Sequence, residues 1–148
     1  MAFKIKRNAT DKAFSDYIRT RDKYTCRICG IRFPGLVAGL DCAHLFPGRL
    51  KNLKWDERAA VALCSPCHYL GNKKNITGYD AFDRGMSKRM RDDLIVKWVG
   101  VNTFMELTIL SKKAVKISKE QEKEIRDYYR EKRRQIMIER DEIAFGAH

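Results

Sequence analysis

Four of the five cysteines fall into two C-x-x-C pairs, Cys26/Cys29 and Cys64/Cys67. Each pair sits on a tight turn that lets two thiolates converge on one ion. Two such turns complete the tetrahedral four-thiolate site that structural Zn2+ prefers. Because 34 residues separate the pairs, more than in a simple zinc ribbon, something must be folded between them. The alternatives are four unrelated buried cysteines, or a disulfide framework, which suits a basic cytosolic protein poorly. A four-cysteine site has no open position, so it is structural and not catalytic. The fifth cysteine, Cys42, reads as a buried small hydrophobe and not a nucleophile, because no general base is free to serve it.

A chain of 148 residues fits one domain. With 44% hydrophobic and 10% aromatic residues it can bury a core, which excludes a disordered polycation. No apolar run approaches the ~18 residues of a membrane span. The opening Met-Ala-Phe-Lys-Ile-Lys-Arg has no apolar signal region, which predicts a cytoplasmic protein, in a host cell if phage-encoded. The net charge of +12 and pI of about 9.7 point to a polyanionic partner. Nucleic acid is the default, and an anionic membrane surface the weaker alternative. Residues 1–34 carry nine basic and three acidic side chains, the most one-sided stretch of the chain.

The pattern predicts a first helix over about 11–21, capped by Thr10 or Asp11, with Phe14, Tyr17 and Ile18 on one face. Leu40–Phe46 reads as a short strand broken by Pro47-Gly48, and a second strand near Val61–Leu63 delivers the chain to Cys64. A helical turn or two follows from Cys67 to Gly71. Tyr79–Val99 looks helical, because Tyr79, Phe82, Met86, Met90, Leu94 and Trp98 recur at three- and four-residue steps, a stripe that reads as core. Gly85 can split that segment. Thr103–Leu110 reads as another short helix. Ser118 opens a Ser-x-x-Gln capping box before a long charged helix to about Ile143. That helix carries Ile125, Tyr128, Tyr129, Ile136 and Met137, and its mixed charges suit a solvated face.

Two of the three histidines lie near these landmarks: His44 in Asp41-Cys42-Ala43-His44, and His68 directly after the second pair; the third is the terminal His148. Three passages resemble a known family. They are Asp11–Arg19 running into Cys26-Arg27-Ile28-Cys29-Gly30, Leu40–Phe46 with Arg49 after it, and Lys54-Trp55-Asp56 with Ala60–His68. Over about residues 10–95 the chain resembles HNH endonucleases, the ββα-metal fold. More narrowly it is similar to the phage NinG/Rap type of recombination nuclease. Residues 100–148 match nothing in that family. The resemblance implies an α+β fold, a small zinc-stapled ββα-metal core with flanking helices. It implies His44 as general base and His68 as ligand of a catalytic Mg2+ or Mn2+ that binds the scissile phosphate and stabilises the leaving 3′-oxygen.

The chain departs from the family twice. The second metal ligand usually precedes the base, where this chain has Ala43. Asp41 shares a strand face with Ala43 and is the substitute ligand, unless it pairs with a nearby Lys or Arg. The family also sets an Asn five residues before Cys64, tying the loop to the backbone beside the base. Ala59 stands there, which predicts a less firmly held loop and His44 ring, and a lineage or an engineered form with altered catalysis. Asn52, Asn72 and Asn75 are nearby amides, none at the expected offset.

Arg49 is the first candidate for orienting the scissile phosphate, with Lys51, Lys54, Lys73 and Lys74 in the same loops. Lys4, Lys6, Arg7, Lys12 and Arg19 could track a duplex backbone. Trp55 reads as a core residue beside the zinc site rather than a base-stacking platform. The expected organisation is a nuclease-like domain over 1–110 and a basic helical extension over 111–148 that could pair with a second copy. The expected function is a metal-dependent DNA endonuclease acting on duplex or branched DNA. The alternatives are a degenerate HNH-fold zinc module that binds DNA without cutting it, and a zinc-bearing adaptor that binds protein through its C-terminal helix.

Overall fold

The computed structural model describes residues 7–46, 51–70 and 81–146, with the side chains of Lys51 and residues 142–146 left out. The fold is mixed α+β: the described residues form five α-helices and a two-stranded antiparallel sheet.

Helix α1 (Ala9–Arg21) is capped by Asn8, not by Thr10 or Asp11. Asn8 Oδ1 accepts from Asp11 N at 2.8 Å, and the Asn8 N–H donates back to Asp11 Oδ2 at 3.3 Å, so Asp11 is the returning half of the capping box. The helix stops where Lys23 and Tyr24 take positive φ angles of 57° and 55°. This reversal turns the chain into the first cysteine knuckle, a narrow ribbon bridged at Thr25 and Arg32. Asp22 locks the junction, since its Oδ2 accepts from Ala62 N at 2.8 Å while Oδ1 meets Arg21 Nε at 3.0 Å.

Strands β1 (Leu40–His44) and β2 (Ala60–Cys64) pair antiparallel, with Leu40 opposite Cys64 and His44 opposite Ala60. Strand side chains alternate between faces. Ala43, Val61 and Leu63 pack with Cys26, Cys64, Cys67, Phe82 and Ile95. Cys42 and Ala60 pack instead with Phe14, Tyr17 and Ile18 of α1. The sheet is therefore a thin wall between α1 and the cysteine core. Between the strands lie a short helix α2 (Lys51–Lys54) and a single helical turn, Glu57–Ala59.

The stretch predicted as one helix from Tyr79 is different. Ala81–Met86 is a tight turn with Gly85 at φ 90°, and helix α3 is confined to Lys88–Val99, capped by Ser87. Tyr79 lies outside the described residues. Phe82 and Met86 are buried as expected, but Met90 is exposed. Gly100, at φ 86°, ends α3 and starts α4 (Val101–Ser111).

Helix α5 (Lys119–Gly146) opens on the predicted box: the Ser118 N–H donates to Gln121 Oε1 at 2.9 Å, and the Gln121 N–H to Ser118 Oγ at 3.1 Å. It does not stand apart as an extension. It lies along α1, where Tyr129 is buried against Phe14 and Tyr17, with Ile125 and Ile136 alongside. One side of the helix expected to pair with a second copy is thus packed within the chain, while Tyr128 and Ile138 stay exposed. Trp55 is buried as expected, but between α1 and α5 rather than beside the cysteines. Its Nε1–H donates to Asp11 Oδ1 at 3.0 Å, and its carbonyl accepts from the Tyr129 hydroxyl. No single described helix is long and apolar enough to cross a membrane.

Candidate functional site

The two knuckles converge as their spacing predicted. The Sγ atoms of Cys26, Cys29, Cys64 and Cys67 all lie within 4.8 Å of one another, the one such cluster of three or more potential ligands among the described residues. Sulfurs of a tetrahedral zinc site, at about 2.3 Å from the ion, stand about 3.8 Å apart. Cys29 and Cys64 are 3.6 Å apart, so the group fits a structural metal such as zinc. Backbone bonds shape the cradle. Gly30, at φ 77°, donates to Cys26 O at 2.9 Å, and Arg27 N ties the knuckle to Ala62 O at 2.9 Å. Burial raises the Cys26 thiol, but the N–H groups of Cys29, Cys64 and Ile28 outweigh it and lower its pKa. Burial raises the Cys64 pKa. Cys42 lies apart from the cluster, and burial pushes its thiol up to about 12, consistent with an inert packing residue.

Beside this cluster is an open cleft of about 670 Å³, lined in part by Arg7, His44, Lys54, His68, Asp83 and Arg91. His44, at the end of β1, keeps exposed surface. Its ring stacks on Phe14 with centroids 5.9 Å apart, and Nε2 lies 2.9 Å from Lys54 O. A carbonyl only accepts, so the neutral ring carries its proton on Nε2 and leaves the Nδ1 lone pair available. Desolvation by the surrounding protein comes first among the causes that lower its pKa below the ordinary 6.5.

His68 sits in the helical turn Pro66–Leu70. Both of its nitrogens meet carboxylates: Nδ1 is 3.0 Å from Asp41 Oδ2, and Nε2 is 3.0 Å from Asp83 Oδ2. Burial disfavours the charged ring, but the two carboxylates outweigh it and raise His68 to about 9. Burial likewise raises Asp41, yet the bond to His68 outweighs it and lowers the carboxyl. Among the described residues Asp41 forms no ion pair with Lys or Arg, and it does not line the cleft; it holds His68 from behind, with Ser65 Oγ 3.3 Å away.

Ala59 does not face the cleft. Its methyl is buried with Leu53 and Leu107, and its carbonyl accepts from Leu45 N at 2.9 Å, next to His44. The loop expected to be loose is tied by that bond, by Lys54 O on His44, by Tyr129 on Trp55 and by Trp55 on Asp11. Asparagine at position 59 would thus put an amide among apolar side chains. We expect Ala59→Asn to cost about 1–3 kcal/mol, read as a melting temperature lower by roughly 3–10 °C in calorimetry.

Of the proposed phosphate contacts, Arg49, Lys73 and Lys74 lie outside the described residues, as do Lys4, Lys6, Asn72, Asn75 and His148; of Lys51 the side chain is not described. Lys54 lines the cleft, 3.3 Å from Asp11 Oδ1. Arg19 and Lys12 are engaged by Asp16, and Arg19 also donates to Leu40 O, so they offer less than expected. Asn52 donates to Leu110 O at 2.8 Å. Sequence reasoning missed Arg91 and Asp83. Arg91 sits on a helix face whose orientation depends on packing. Asp83 lay inside a stretch that read as helix, although Gly85 was a signal for a turn. Comparison with family models, with curated proteins and with solved structures finds no match for this chain.

Proposed function

We propose that the chain is a metal-dependent DNA endonuclease of the HNH type. The observation that carries this reading is the cleft in which His44, with Nδ1 free to take a proton, faces the same space as His68 beside the four-cysteine cluster. His44 Nδ1 accepts the proton of the attacking water. The Lys54 carbonyl holds the opposite nitrogen, and Phe14 backs the ring, so the lone pair keeps one direction. His68 would hold the divalent cation, which when bound stabilises charge on the phosphate and the leaving oxygen. Arg7, Lys54 and Arg91 position the backbone phosphates. The net charge of +12 supports a nucleic-acid partner. The resemblance to the NinG/Rap type favours branched recombination intermediates over plain duplex. A zinc-stapled DNA-binding module without cleavage is the second reading, favoured by Ala43 and Ala59, whose methyls are core packing where the family has polar groups.

Nicking of supercoiled plasmid and cutting of a four-way junction, each with Mg2+ or Mn2+, tests the proposal. Cleavage supports it, and DNA binding without cleavage supports the module. The pH profile adds a check. At saturating cation, which displaces the proton that His68 otherwise holds, the lowered His44 pKa sets the profile, because a base acts unprotonated: the rate should climb through an inflexion below pH 6.5 and be flat by neutrality. An inflexion above pH 7 would exclude His44 as the group observed.

A further inference from the structure

The nuclease reading leaves its cation one ligand short, because Ala43 is fully buried and Asp41 is turned onto Nδ1 of His68. We infer that Asp83 completes the site: Asp83 Oδ2 and His68 Nε2 are the two protein ligands of a divalent cation, and Asp41 is the positioning residue that fixes the imidazole. The inference rests on the proposed function for the purpose of that ion, but its geometry stands separately.

Adjacent ligands of an octahedral ion at about 2.1 Å are about 3.0 Å apart. Asp83 Oδ2 and His68 Nε2 are separated by 3.0 Å; without an ion they share the Nε2 proton, which a bound cation displaces to solvent while keeping the same spacing. The separation is built by the main chain and is not a chance meeting of two side chains. Phe82 N donates to Cys67 O at 2.7 Å and Asp83 N to His68 O at 2.8 Å, so the Ala81–Met86 turn is hooked directly onto the second knuckle. Phe82, 2% exposed, anchors that turn in the core beside the cysteines. Asp83 itself keeps a side chain 47% exposed, so an ion there retains access to water and to a phosphate. The Asp41–His68 bond is the carboxylate–imidazole arrangement that sets the tautomer of metal-bound histidines, directing Nε2 outward. Two protein ligands suffice for the ions of phosphoryl-transfer sites, which keep several waters and take the rest from substrate. An imidazole with a carboxylate suits Mn2+ at least as well as Mg2+.

The test is direct binding of Mn2+, followed by the loss of the free-ion signal in electron paramagnetic resonance. It uses the full zinc-loaded chain, Asp83→Asn, Asp41→Asn and the control Asp92→Asn, whose carboxylate is paired with Lys88 on α3. We expect one Mn2+ per wild-type chain. Affinity should fall at least about tenfold in Asp83→Asn, fall in Asp41→Asn and be unchanged in Asp92→Asn. Asp83→Glu, which restores a charged carboxylate, should recover affinity where Asp83→Asn, which keeps only a neutral carbonyl oxygen, does not. Equal affinity of wild type and Asp83→Asn, or no Mn2+ bound by wild type, overturns the assignment. Mn2+ bound through Asp83 without DNA cleavage keeps the assignment and removes the nuclease. Cleavage with an unchanged Mn2+ affinity in Asp83→Asn does the reverse.

Discussion

Serine at Cys64 should lower the melting temperature by about 10–20 °C, and a strong chelator should do the same to the unaltered chain. The size follows from what the cluster supports. Cys26, Cys64 and Cys67 are buried in the same core as Ala43, Val61, Leu63, Phe82 and Ile95. The sheet has two strands, and a two-stranded ribbon is marginal without further packing. A metal joining the two knuckles fixes both ends of the intervening segment, and binding energy at such a site is folding energy. A loss of about 5 kcal/mol, well below what structural zinc supplies to small domains, corresponds to this shift for a chain of this length, at roughly 2–4 °C per kcal/mol. Calorimetry with and without chelator, beside metal analysis showing one zinc per chain, checks the expectation. Cys42→Ala should cost far less, since Cys42 packs toward α1 and not into the cluster. Equal melting temperatures with and without chelator would mean that the four thiols hold no structural metal.

In the proposed nuclease, replacing His44 by alanine should reduce cleavage by about 10²–10⁴-fold, the range of a positioned general base. DNA affinity should change little, because Arg7, Lys54 and Arg91, the residues proposed to bind phosphates, are untouched. Stability should also change little. The ring keeps exposed surface, and its loss removes one bond to Lys54 O and one stacking contact with Phe14. Rates on plasmid and junction, with binding measured in parallel, separate chemistry from affinity. An unaltered rate would mean that another group activates water, or that a contaminant does the cutting.

Much of the scaffold was legible in the residues because its signals are local. C-x-x-C spacing encodes a knuckle whatever surrounds it, Ser118-x-x-Gln121 encodes a helix start, and the apolar runs around Leu40 and Val61 encode short strands. Errors arose where a local pattern competed with a distant partner. Thr10 has a capping side chain, but Asn8 has the cap, because the helix begins one residue before Thr10. The three- and four-residue steps of Phe82, Met86 and Met90 imitate a helix. Phe82 is instead buried by a turn whose main chain bonds to Cys67 and His68, partners that no sequence window contains.

The sequence by itself determined the four-cysteine cluster, the presence of two histidines close to it in sequence and the net positive charge, since each follows from residue identity and short spacing. Tertiary structure decided the rest. It folded α5 back onto α1, because Tyr129, Ile125 and Ile136 bury more apolar surface there than in solvent. It made Ala59 a packing residue and moved the bracing of His44 to the Lys54 carbonyl. Through two main-chain hydrogen bonds between segments that are separate in sequence, it brought Asp83 to His68. Hydrogen bonds between distant backbones depend on where the whole chain goes, which is why that pair was invisible until the fold was known.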